Sequence, residues 1–212
     1  IVVGQGQSLI VIDAQTGRRI KRHQFDKNIV DTVLLSDGTR ALTVLEHGWE
    51  GETPKTKMAI VELADGNKRT INVPNCSDKL AVTPSADYAF LAPTRCDKDP
   101  VSVIDLTRGE ERYLENLPGF GPVGMAPKGD VAIAFIDARN VDPSLFDDES
   151  QIPSTENGRY HMMVINVDSL EFTVHPFGDR VPRYAMTPNG NVLLVDTAGE
   201  YEGDQAPLKL FH

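Results

Sequence analysis

Positive charge, cysteine, tryptophan and long apolar runs are all scarce in this chain of 212 residues. Lys and Arg total 21 against 31 Asp and Glu, a formal net charge of −10. That balance argues against a nucleic-acid partner, whose phosphates demand clustered Lys and Arg, and against an anionic membrane surface. It suits a cationic partner, a metal ion or plain solubility. No apolar stretch approaches the roughly 20 residues of a membrane-crossing helix, so no such span is expected. No leader is visible, but the chain starts at Ile1 rather than Met, so this says nothing about export. Catalytic signatures are missing too: there is no G-x-S-x-G, no H-E-x-x-H, no P-loop and no C-x-x-C-H. His23, His47, His161, His175 and His212 lack metal-ligand spacing.

What the chain does have is an internal repeat. Four segments share an apolar run ending in a polar residue: Leu9 to Asp13, Ala59 to Glu62, Val101 to Asp105 and Met163 to Asn166. The polar residues recur at steps of 49, 43 and 61 residues. A second landmark, a turn at Gly38, Ala86, Gly129 and Gly190, steps by 48, 43 and 61. Two independent landmarks moving almost in unison mark a genuine repeat. After each turn comes a β-branched run such as Val131 to Ile136, punctuated by Gly, Asp, Asn and Pro, with no convincing helical period. Four short strands per unit of this length fit a blade of a β-propeller. Strands are predicted near 29–35, 40–46, 57–63 and 67–73, then 79–83, 87–92, 101–105 and 111–116, then 122–126, 130–136, 161–167 and 170–176.

The third unit resembles the YVTN-type propeller repeat. Val101-Ser102-Val103-Ile104-Asp105-Leu106-Thr107 matches its strand and turn, and Gly121-Pro122-Val123-Gly124-Met125-Ala126-Pro127-Lys128-Gly129 matches its hairpin. Val11 to Gly17 and Ala185 to Gly190 fit the same pattern, although Phe135-Ile136-Asp137 and Leu194-Val195-Asp196 replace the name-giving tetrapeptide. The resemblance implies an exported or surface-bound bacterial or archaeal protein. Members of such families include binding scaffolds and enzymes of lactonase or amine-dehydrogenase type, and resemblance does not choose among them. The expected fold is all-β: a single propeller domain over 1–212, with about three full and two partial blades of four antiparallel strands. An open ring exposes strand edges, so the chain is expected to be part of a larger ring of about seven blades, or to self-associate through those edges.

Blade geometry sorts the loops. With strands a to d counted from the axis, the a–b and c–d turns share one face and are tight, with Asp13 and Asp105 expected to bond turn N–H groups. The b–c loops on the other face are long and acidic, and such loops are where binding usually resides. His47 and Trp49 are candidates to contact a ligand or partner, the alternative for Trp49 being a cover over its own blade. Arg139 and Arg183 are candidates to hold an anion, or else pair with nearby carboxylates. Asp137, Asp142 and Asp196 are candidate ligands for Ca²⁺, set against a simple solvated acidic surface. Cys76 and Cys96 lie equidistant from the turn at 83–87, where an antiparallel hairpin brings opposite Cα atoms within disulfide range. A disulfide there would place the chain in the periplasm, at the cell surface or outside the cell. The function expected is a non-catalytic scaffold that binds a protein or small polar ligand without a cofactor. The alternatives are a Ca²⁺-assisted hydrolase of lactonase type and a propeller subunit of a redox enzyme.

Overall fold

Runs of β-branched and aromatic residues between Gly- and Asp-rich turns make this chain a succession of short antiparallel strands. In a computed structural model the described residues are 1–50, 53–93, 100–108, 110–179, 183–186, 193–196 and 209–211. Contacts divide the chain into Ile1–Leu117 and Pro118–His212.

The first unit holds three sheets, each a meander in chain order. The first is β1 (Val2–Gln5), β2 (Ser8–Ile12) and β3 (Arg19–Gln24). The second is β4 (Ile29–Leu34), β5 (Arg40–Glu50), β6 (Thr53–Glu62) and β7 (Lys68–Val73). The third is β8 (Lys79–Val82), β9 (Tyr88–Ala92), β10 (Val101–Asp105) and β11 (Arg112–Leu117). The second unit holds β12 (Phe120–Met125), β13 (Val131–Asp137), β14 (Tyr160–Asn166) and β15 (Phe172–Gly178), followed by a sheet of β16 (Arg183–Met186), β17 (Leu193–Asp196) and β18 (Lys209–Phe211). Three of the five sheets, β4–β7, β8–β11 and β12–β15, are the four-stranded antiparallel blades expected from the repeat, and the sheets β1–β3 and β16–β18 have three described strands each.

The predicted strands agree with the observed ones within a few residues, save at one hairpin. The stretch after Glu46, expected to be an irregular loop, continues β5 to Glu50 and begins β6 at Thr53, with Trp49 opposite Pro54. A register shift between Leu45 and Gly48 absorbs the irregularity, so the ladder resumes instead of ending.

Middle strands are buried on both faces, which is why their sequences are near-continuous apolar runs. Leu42, Val44, Met58 and Ile60 pack against Ala89, Leu91 and Ile104 of the third sheet. The alternate residues Ala41, Leu45, Ala59 and Val61 pack toward Leu9 of the first. A polar clamp spans the second and third sheets. Arg40, 6 % exposed, reaches Asp37 at 2.7 Å and Glu111 at 3.3 Å, and Arg69 also pairs with Glu111.

The turns carry the repeat's chemistry. Asp13 Oδ1 accepts from the backbone N–H groups of Gln15 and Thr16 at 2.9 and 2.8 Å, and Asp105 does the same for Thr107 at 2.8 Å. Hydrogen bonds from Thr16 and Thr107 hold these two carboxyls below the usual aspartate range. Four residues after the polar landmark, the chain enters the left-handed region at Gly17 (φ 67°) and Gly66 (φ 84°). In the last described unit that place falls to Leu170, at φ 59°. A Cβ is unfavourable there. Leu170→Gly is therefore expected to stabilise the protein by about 0.5–1 kcal/mol in urea melts, the relief of backbone strain exceeding the entropy glycine adds to the unfolded chain.

Candidate functional site

The long connection between β13 and β14 is the b–c loop of its blade. Asp137 ends β13 and stands opposite Tyr160, the first residue of β14, so the loop leaves and re-enters across one closed pair. The Asp137 carboxylate, in a residue 8 % exposed, accepts from Arg139 Nη2 at 3.1 Å and from Arg159 Nη2 at 2.7 Å. Arg139 follows it in the loop and Arg159 precedes β14, so one carboxylate ties both ends. The Arg159 guanidinium also lies over the Tyr160 ring at 4.6 Å. Near the same end, Gly158 (φ 104°) sits where a Cβ would meet the Gly178 backbone at 3.0 Å, so the approach to β15 needs a residue without a side chain.

Within the loop, three single 3₁₀ turns start at Asp142, Asp148 and Ser154, whose side chains accept from the N–H groups of Ser144, Ser150 and Glu156. Ser144 and Ser150 hold the Asp142 and Asp148 carboxyls below their ordinary pKa, so both stay ionised. Phe146 is buried and meets the Phe172 ring edge-on at 5.7 Å, fastening the loop to β15. Around that anchor Asp142, Asp147, Asp148, Glu149 and Glu156 face solvent. The loop is thus an ordered acidic projection.

Each candidate residue now has a place. Asp137 and Arg139 are brought together, as an ion pair. Asp142 lies apart from them, capping its own turn. His47 and Trp49 belong to β5, with side chains outside the described residues. Arg183 and Asp196 are register partners in β16 and β17, their side chains likewise outside the described residues. Among the described residues no three His, Cys, Asp or Glu side chains gather as a metal site. Cys76 is buried, and Cys96 lies outside the described residues. Sequence reasoning missed Arg159, which is separated from Asp137 by the whole loop. The Asp-x-Ser spacing at 142–144 and 148–150 did carry a readable capping signal.

Two histidines are enclosed. His161, in β14, is 3 % exposed, its Nδ1 has no partner among the described residues, and burial pushes its pKa down. His23, in β3, is lowered by burial and by Lys21 and Lys68. Both are thus neutral in the fold, and unfolding lets them protonate near pH 6.5. Stability is expected to fall as pH drops below about 6.5. Asp37 acts in a separate window. Burial raises its pKa, but Arg40 and Thr39 outweigh that and hold it at about 2. Its contribution is lost as pH falls through that value from about 3.8. Thermal melts between pH 7 and 5 should therefore show a decline that His161→Gln makes shallower, before any carboxylate effect begins.

No known family description matches the chain, and no curated protein matches it. Solved structures do. The fold resembles hydrazine synthase of Kuenenia stuttgartiensis, with TM-score 0.51 and 16 % identity, covering 89 % of this chain and 67 % of that one. It also resembles a eukaryotic initiation factor, with TM-score 0.58 and 13 % identity, covering 92 % of this chain and 46 % of the other. The fold is β-propeller-like. At these identities the likeness concerns the propeller fold alone, and the chain spans less than half of the initiation-factor chain. Among the described residues, no helix is long and apolar enough to cross a membrane.

Proposed function

We propose that this propeller is a non-catalytic binding scaffold of an exported protein, and that its acidic b–c loop grips a cationic segment of a partner protein. The observation that carries this reading is the construction of the loop between β13 and β14. Its ends are tied through Asp137, its turns are capped and its aromatic anchor is buried, while five carboxylates stay in water. Fixing charges in advance lowers the ordering cost of binding, and clustered charge of one sign steers an opposite partner. No cofactor is needed for this role.

The test is fluorescence anisotropy with a labelled oligolysine peptide at low and physiological salt. Asp147→Asn, Asp148→Asn and Glu149→Gln together should weaken binding about tenfold at low salt, from the loss of three rim charges. Unchanged binding by the triple variant, with its circular dichroism intact, would refute the reading.

Export rests on a proposed Cys76–Cys96 disulfide. Lys79 pairs with Ala92, and Asp78 N–H donates to Ala92 C=O at 3.1 Å. Cys76 lies three residues before this paired stretch and Cys96 four residues after it, so the two flank the same end of the hairpin along the chain. Thiol titration of the unfolded, unreduced protein should find no free thiol. Two reactive thiols would remove both the bridge and the exported location.

A further inference from the structure

Three arginines of this acidic chain fall within residues 14–25, a stretch with no Asp or Glu. Arg18, Arg19 and Arg22 follow one another around β3, and among the described residues none of them has a carboxylate partner. Lys21, between them, is committed: its ammonium donates to the Ala64 carbonyl of the neighbouring sheet. Alternation along the strand sends Arg22 and Gln24 to the opposite face, in register with Ile10 and Ser8 of β2.

On that face lies a cavity of about 430 Å³, lined by Gln5, Gln7, Ser8, Arg19, Arg22 and Gln24 with Ile10 beneath. Its floor is built. Ser8, 2 % exposed, accepts from Arg22 Nε at 2.8 Å and donates to Gln24 Oε1 at 2.9 Å. This relay spends Nε of Arg22 and, among the described residues, leaves its terminal N–H fork without a protein acceptor. Gln24 accepts from Ser8 through its oxygen and is itself exposed, so its NH₂ is available to a ligand. Arg19 adds a second guanidinium that has no acceptor of its own among the described residues. An unheld surface arginine would lose rotamer freedom on meeting a ligand. Here the serine has already restricted Arg22.

We propose that this pocket, beside β1–β3 and independent of the acidic loop, binds a small di- or tricarboxylate. The planar Arg22 fork takes one carboxylate by paired N–H bonds, the geometry that guanidinium offers and ammonium does not. Arg19 takes a second carboxylate, and the glutamine amides take the remaining oxygens. The volume lies at the small end of ligand pockets, which suits a metabolite-sized anion. Among the described residues no carboxylate pairs with Arg19 or Arg22, so both charges are open to such a ligand.

Citrate is the probe, with inorganic phosphate as the comparison, added to the whole chain at fixed ionic strength. Calorimetry should detect saturable citrate binding, with phosphate weaker. Arg22→Gln and Arg19→Gln should each weaken citrate about tenfold through a lost charge-assisted pair. Ser8→Ala, which releases the Arg22 fork but keeps both guanidiniums, should weaken it by a smaller factor. In the unaltered protein the Arg22 side-chain nitrogen resonances should move on citrate addition, a readout independent of whether any variant folds. Phosphate binding as tightly as citrate would overturn the assignment of ligand class. Absence of saturable citrate binding, unmoved Arg22 resonances, or equal binding by an Arg19→Gln/Arg22→Gln double variant would overturn the site.

Discussion

Glu111→Ala is expected to destabilise the first unit by about 3 kcal/mol, because it strips a buried carboxylate from two arginines at once. The Glu111 side chain is 5 % exposed and Arg40 8 %, so water reaches neither freely. Arg40 keeps Asp37 at 2.7 Å but loses Glu111, while Arg69 loses its ion pair. The pair lies across the second and third sheets, so the loss falls on the seam between blades. Urea melts measure the change directly. A double-mutant cycle of Glu111→Ala with Arg40→Met isolates the Glu111–Arg40 coupling, which should be favourable, while Arg40→Met alone also costs Asp37 its partner. A single-variant change below about 1 kcal/mol, the range of exposed ion pairs, would show that the clamp contributes little.

Asp137→Ala should have the second-largest effect, about 2–3 kcal/mol on the second unit, together with a loosened loop. It leaves the Arg139 and Arg159 guanidiniums side by side with no anion between them. Their side chains are 52 % and 35 % exposed, which keeps the cost below that of the Glu111 change. Asp137→Asn retains the shape and one acceptor oxygen but removes the charge, so it should fall between wild type and alanine. Limited proteolysis separates a loop effect from a global one. Cleavage within 138–159 should accelerate in Asp137→Ala more than cleavage elsewhere. Uniform acceleration across the unit would mean that Asp137 stabilises the sheet and does not tether the loop.

These two sites also mark the limit of sequence reasoning. Glu111 sits in a stretch of mixed charge, Gly109-Glu110-Glu111-Arg112, that looks like solvated surface. It is buried because the neighbouring sheet delivers Arg40 and Arg69 to it, from 71 and 42 residues away. From the sequence Asp137 could be a cation ligand or plain acidic surface, and Arg139 could hold an anion or pair with some nearby carboxylate; nothing in the sequence named each as the other's partner. The i to i+2 turn after β13 lets them satisfy each other, and Arg159 completes the arrangement from the far end of the loop.

Local rules determined the rest. Strand periodicity, turn residues and the paired landmarks act over a few residues, where backbone sterics and hydrogen bonding leave few alternatives. The four-stranded blades, most strand limits and the capping roles of Asp13 and Asp105 were therefore legible in the sequence alone. Even the exceptions keep the repeat's backbone: Ala86 and Leu170 adopt positive φ, of 61° and 59°, where other units place glycine. Tertiary structure alone decided which charges would be consumed and which left open. The same kind of residue, an arginine on an outer strand, is neutralised as Arg69 by Glu111 and, among the described residues, left without an acid as Arg22 over Ser8. That choice depends on which sheet packs against which face, and packing joins residues whose separation along the chain carries no local signal.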